Sequence, residues 1–206
     1  LITLTNLALY YGYEKQYQKS KSNYQEALTI ASETGNYTSL AHIYSGLTDV
    51  AYWEKKYAEM IPYAKKFEEV GMLMKNDYVL LRAKLAMGKA LFFNKRFNEA
   101  EVYFNEGLKL SDQLEDNELL KDIYGMYSFL LLSKYNDVNE FDKYRQKIDS
   151  LSALENRNLI TRATKELETK YETEKKDNQI KLQAVNIRQK QLWNYVLAGG
   201  IIALIV

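Results

Sequence analysis

Few of this chain's side chains are equipped for chemistry. His42 is the only histidine, and there is no cysteine. A structural or catalytic zinc site draws several ligands from those two residue types, so no metal site is expected. Thiol nucleophiles and disulfides are excluded outright. Carboxylate pairs such as Glu68-Glu69 and Glu99/Glu101 have the chemistry for acid–base work, but they fall on helical stretches dense in lysine and read as solvated faces. No glycine-rich phosphate loop is present: Gly35 ends a helix, and Gly199-Gly200 belongs to an apolar run. No catalytic residue and no cofactor is expected in this segment, which leaves binding.

The elements around these residues are helices. The 206 residues contain one proline and long Leu/Ala/Lys/Glu/Tyr stretches, with no convincing alternation of apolar and polar residues. An apolar content of 47% against 27% charged suits a folded chain with a sizeable core. The net charge of +1 gives no reason to expect nucleic acid as a partner.

The chain repeats itself. "NLALYYGYEKQYQKSKSNYQEALTIA" (6–31), "GLTDVAYWEKKYAEMIPYAKKFEEVG" (46–71) and "AMGKALFFNKRFNEAEVYFNEGLKLS" (86–111) superpose without gaps at a spacing of forty. Leu7, Leu47 and Met87 match; so do Ala8, Thr48 and Gly88, then Tyr17, Tyr57 and Phe97, and Tyr24, Ala64 and Phe104. A fourth copy over 126–151 keeps Tyr127, Ser128, Leu131 and Tyr144 and loses the rest. Each unit reads as two helices. Breaks between units fall at Thr34-Gly35-Asn36, Asn76-Asp77 and Asp116-Asn117, with Gly or Asn as stop and Asn or Asp as N-cap. Breaks within units fall at Lys15-Gln16, Lys55-Lys56, Lys95-Arg96 and Asn136-Asp137. Pro62 fits an early turn if its helix starts near Ala58. The small residues at 8, 88, 20, 100, 27 and 107 admit neighbouring helices, and the rings at 17, 24, 57, 97 and 104 fill the gaps between pairs.

Leu7-Ala8, Tyr11, Tyr17, Ser20, Tyr24 and Ala27-Leu28 resemble the tetratricopeptide repeat pattern, as do Gly88, Leu91, Phe97, Ala100, Phe104 and Gly107-Leu108. The resemblance covers residues 1–151 and implies an all-α array of about four helix pairs. Three features depart from the pattern: forty residues rather than ~34, no tryptophan at the fourth position, and no proline at the repeat end.

After Leu151 the period is lost. Residues 152–191 read as a linker helix with thin apolar stripes, Leu167 and Tyr171, then Ile180, Ala184 and Ile187. A weak coiled coil that pairs two copies and a bare spacer both fit it. The run "LWNYVLAGGIIALIV" (192–206) carries no charge, opens with Trp193 and Tyr195 and meets the chain terminus. It falls short of the ~20 residues that span a bilayer, and it is expected to be the start of a transmembrane helix in a longer protein. This order of parts, with "ELETKYETEKKDNQIKLQ" (166–183), resembles a large family of one-span signalling proteins of Bacteroidetes-type bacteria. That resemblance implies an inner-membrane protein with a periplasmic repeat domain and a cytoplasmic output module beyond the span. The module would be a sensor histidine kinase or a helix-turn-helix regulator; a tethered scaffold without output is a third reading. The phosphoacceptor of a kinase would lie in that missing part, since His42 sits inside a repeat. Lys175, Lys176, Lys181, Arg188 and Lys190 precede the run and by themselves favour a cytoplasmic flank.

In arrays of this type the first helix of each pair lines a concave groove. The resemblance therefore places Thr5, Leu9 and Gly12 there, then His42, Ser45, Asp49 and Tyr52, then Arg82, Leu85, Lys89 and Phe92, and finally Asp122, Gly125 and Phe129, with Trp53 and Phe93 next along. Arg82 and Lys89 are seven apart on one face and would jointly hold a peptide carboxylate, with Asp49 and His42 facing them. A peptide or protein ligand is the expected partner.

Overall fold

The computed structural model describes the backbone of residues 1–114 and 116–205, and their side chains apart from those of residues 112 and 195–205. Among the described residues the chain forms eight helices: α1 (Ile2–Tyr13), α2 (Tyr17–Glu33), α3 (Tyr37–Trp53), α4 (Tyr57–Met74), α5 (Asp77–Phe93), α6 (Phe97–Leu114), α7 (Asn117–Tyr135) and α8 (Val138–Ile205). By contact the chain divides into two units, Leu1–Leu151 and Ser152–Val206.

The helix ends in the first unit are written in the sequence. Asn36, Asn76 and Asp116 cap α3, α5 and α7, their side-chain oxygens accepting from the N–H of Ser39 at 3.0 Å, Val79 at 3.1 Å and Leu119 at 2.9 Å. Asp137 does the same for α8, accepting from Glu140 N–H at 3.0 Å. The turns within the first three pairs are Schellman motifs. Gln16 N–H donates to Tyr11 C=O, Lys56 to Ala51 and Arg96 to Leu91, at 2.8, 2.9 and 2.9 Å. Lysine, not glycine, occupies the left-handed position of all three: φ is 59° at Lys15, 60° at Lys55 and 59° at Lys95. A Cβ there costs ~1–2 kcal/mol, and glycine would return roughly half of that through the freedom of the unfolded chain. Lys95→Gly is therefore expected to stabilise by ~0.5–1 kcal/mol and raise Tm by ~1–4 °C, whereas Lys95→Ala raises nothing. Thermal melts of the two variants side by side check this.

Pro62 lies one residue deeper than a start near Ala58 would place it. With α4 starting at Tyr57, Pro62 is the sixth residue of the helix, past the four N–H groups that lack partners anyway. One internal hydrogen bond is missing as a result, and the helix carries on to Met74.

Helix α1 touches α3, α3 touches α5 and α5 touches α7, so the first helices gather on one face of the array. Two groups of buried residues form its core, one around Tyr24, Ile43, Val50 and Phe67, the other around Met60, Leu81, Leu91, Phe104, Ile123 and Leu130. Tyr63 and Ala86 pack against both, which joins them into one continuous interior. Of the matched trio Leu7, Leu47 and Met87, the last two are buried and Leu7 is exposed. Ser20 adds a polar tie between α1 and α2: its Oγ donates to Ala8 C=O at 2.6 Å, fully buried.

Ion pairs tie neighbouring pairs together. Lys21 on α2 reaches Glu54 and, at 2.9 Å, Glu59. Lys84 on α5 lies 2.5 Å from Glu68 and 2.6 Å from Glu106, and Lys134 on α7 lies 2.6 Å from Glu101. Burial alone would lower the Lys84 pKa; its bonds to Glu106 and Glu68 outweigh that and hold it above 10.5. Burial also raises the phenols of Tyr24, Tyr103, Tyr127 and Tyr144 above 10.0. In both cases the unfolded chain gives up its proton first as pH rises. Stability is therefore full below pH 10.0 and falls above it, through the raised pKa values of the folded state. Unfolding followed by circular dichroism against pH should begin in that range, and Tyr24→Phe should move its onset upward.

The fourth pair is closed by rings. Tyr144 of α8 packs against Tyr124 and Tyr127, with centroids 5.3 and 5.2 Å apart, and Phe141 against Phe129 at 5.8 Å. The linker helix expected over 152–191 lies within α8, which starts at Val138. No Pro or Gly falls between 138 and 198 to end it. In the second unit Leu159, Leu167, Tyr171, Ile180 and Leu182 are all exposed. Among the described residues no helix is long and apolar enough to cross a membrane. Most of the run 192–206, read above as the start of a membrane span, lies outside the described side chains.

Candidate functional site

The face where α1, α3, α5 and α7 gather carries two adjoining open cavities. The first, of about 840 Å³, lies between α1 and α3 and is lined by Thr5, Leu9, Asn36, His42 and Gly46 among others. The second, of about 390 Å³, lies among α3, α5 and α7 and is lined by Tyr52, Leu85, Lys89 and Asp122 among others. Ser45, Asp49 and Arg82 line both and form the neck between them.

Ten of the fourteen positions expected in the groove line these cavities: Thr5, Leu9, His42, Ser45, Asp49, Tyr52, Arg82, Leu85, Lys89 and Asp122. Their spacing explains this. Positions 82, 85 or 86, 89 and 93 follow one stripe of α5 at three- and four-residue steps. Phe92 leaves it. Three steps beyond Lys89 it swings roughly 60° to one side, while Phe93 at four steps stays within ~40° on the other. Phe93 accordingly lines the second cavity, and Phe92 turns edge-on to it, 5.3 Å between centroids, and packs on Phe97 at 5.6 Å. Phe129 also lies outside both cavities, against Phe141 of α8. Gly125 is likewise not among the lining residues; Leu119 and Met126, one turn to either side of Asp122, take the α7 wall. Met60, from a second helix, was hidden from any reading of first-helix spacing. Gly12 faces inward too, but the Trp53 ring covers it: a Cβ there would meet Trp53 Cζ3 at 2.6 Å.

The electrostatics divide the charged set. Lys89 pairs with Asp122 across α5 and α7 at 3.6 Å, with both groups open to solvent; such a pair contributes ~0–1 kcal/mol and is readily exchanged for a ligand. Arg82 Nη2 donates to Ser45 Oγ at 3.3 Å, and its guanidinium sits 6.0 Å from the Phe67 ring. Among the described residues no carboxylate lies within ion-pair distance of Arg82. Asp49 retains solvent access on the groove surface, yet the surrounding walls desolvate it enough to raise its carboxyl pKa, against the pull of Lys89 and Arg82 and with a push from Asp122. Lys89 is thus engaged before any ligand arrives, so the expected joint Arg82/Lys89 grip on a carboxylate would require displacing Asp122. Among the described residues there is no group of histidines or carboxylates that could hold a metal ion.

A family model described as tetratricopeptide repeat matches residues 2–34 and 81–114. The first stretch is α1 with α2; the second is most of α5 with α6. Those two stretches are therefore similar to tetratricopeptide repeats, within an all-helical array, and such repeats point to a protein-binding or scaffold role. No curated protein matches the chain.

Proposed function

We propose that residues 1–151 form a protein- or peptide-binding module that receives an extended segment in the groove of α1, α3, α5 and α7. The carrying observation is the pair of adjoining cavities that share Ser45, Asp49 and Arg82. Affinity capture with the full chain and with Arg82→Glu/Lys89→Glu tests it. The double variant is expected to lose the partners that the native chain retains, and an identical set from both would count against this surface.

The finer part of the proposal makes the chain the input region of a membrane-tethered signalling protein, most simply a sensor histidine kinase. Its repeat domain lies in the periplasm, and residues 192–206 begin the single span. What supports this is the order of repeats, charged helix and apolar run, together with the wording of residues 166–183. Self-pairing of the second unit belongs to the same proposal. Ile160, Leu167, Tyr171, Leu182, Val185 and Leu192 are all more than half exposed, and at 100° per residue they share a stripe within ~40° of its mid-line. Leu167→Asp/Val185→Asp should abolish cross-linked dimers while the repeats stay folded. In its native host the protein should pellet with membranes, and recovery in the soluble fraction would remove the anchor. The coding sequence that follows separates a kinase from a helix-turn-helix regulator or a scaffold without output.

A further inference from the structure

We infer that the second cavity is an anchor pocket for one bulky apolar side chain of the bound segment, and that Ser45, Asp49 and Arg82 beside it hold that segment's main chain. The inference rests on the groove reading above and specifies what the groove selects. Its walls include the rings of Tyr52, Trp53 and Phe93 and the side chains of Met60, Leu85 and Met126. Flat rings and pliable thioethers suit an aromatic or branched side chain. The rings are held before any ligand arrives. Phe93 stacks on Tyr57 at 4.9 Å and 19°, Tyr52 lies 5.0 Å from Phe93, and Trp53 lies 5.2 Å from Tyr13. Little side-chain freedom is therefore lost on binding. At about 390 Å³ the cavity is near the lower limit of small-molecule sites, a size that suits one side chain better than a whole cofactor.

Charge complementarity selects the occupant. The cationic groups Arg82 and Lys89 are balanced by Asp49 and Asp122, so the lining of this cavity carries no net charge. A phosphate or lone carboxylate would meet Arg82 but face two acidic groups, and a lone cation would meet the reverse. An extended main chain offers a C=O to the Arg82 donors and an N–H to the Asp49 oxygens side by side, with no charge of its own. The occupant is therefore a neutral stretch of peptide carrying one large apolar residue.

Trp53 reports on the pocket. The sequence has two tryptophans, so a Trp193→Phe background leaves Trp53 as the only one. The probes are capped, uncharged glycine–serine peptides with a single Phe, Leu, Ala or Glu at one fixed position, alongside free phenylalanine. The Phe and Leu peptides should shift Trp53 emission at least ~10-fold more tightly than the Ala and Glu peptides. That preference should vanish in Leu119→Lys, which puts a charge in the wall, and in Ala86→Leu, which fills the space; melting curves confirm that both variants fold. Equal binding of all peptides at ~1 mM, a preference that survives both variants, or free phenylalanine matching the capped peptide would each overturn the anchor. None of these results touches the capture experiment. Partners lost with Arg82→Glu/Lys89→Glu alongside an indifferent peptide series would leave the groove standing and remove only the pocket.

Discussion

Gly88→Ala should lower Tm by ~6–12 °C, the equivalent of about 3 kcal/mol in a chain of this size. A Cβ at Gly88 would meet Phe104 Cδ1 at 2.7 Å and Cζ at 3.0 Å. Phe104 is fully buried, so its ring has nowhere to retreat. The first pair shows why the glycine sits where it does. There the matching residue is Ala8, and the matching ring, Tyr24, lies over Gly46 of the next pair instead, with Cε1 2.9 Å from where a Cβ would be. The counterpart of Gly46 two repeats on is Met126, which leaves no such room. A large ring on the second helix thus needs a glycine either on its own partner helix or on the next first helix. Ala64 in the second pair removes the ring, and neither glycine is present there. The double variant Gly88→Ala/Phe104→Leu should be more stable than the sum of its single changes by at least ~1 kcal/mol. Strict additivity in thermal or urea melts would show that the contact is not what costs.

Arg82→Glu should weaken binding of a groove-captured partner by ~30–100-fold, about 2–3 kcal/mol, with Tm nearly unchanged. The reversed charge would join Asp49 in the neck and Asp122 in the second cavity, and remove the donors facing a ligand. Isothermal titration with the captured partner measures the loss, and an affinity within a few-fold of native would remove Arg82 from the interface. Asp49→Asn makes the same point with the opposite sign on stability. The folded chain holds the Asp49 pKa above 3.8, so the stability linked to its proton is full at acid pH and lost as pH rises through the folded pKa. An amide has no such loss. Asp49→Asn should therefore raise Tm at neutral pH by ~1–2 °C, once solvent screening is allowed for, and make no difference below roughly pH 4. A residue that costs stability while aiding binding is the signature of a functional surface.

The local features of this molecule could be read from the chain alone. Helix starts at Asn36, Asn76 and Asp116 and stops at Lys15, Lys55 and Lys95 depend on hydrogen bonds spanning a few residues, so the sequence around each break carries the information. The assignment of the positions from His42 to Lys89 to a groove is what the tetratricopeptide resemblance implies; helical period adds only that residues such as Arg82 and Lys89 share a face. Other features required the helices to be placed beside one another. Only the placement of α7 beside α5 decides that Asp122 occupies Lys89. The direction of the Tyr24 and Phe104 rings likewise depends on which neighbouring helix offers space. Spacing along one helix fixes which residues share a face; contacts between helices depend on offsets and rotations that no single helix encodes.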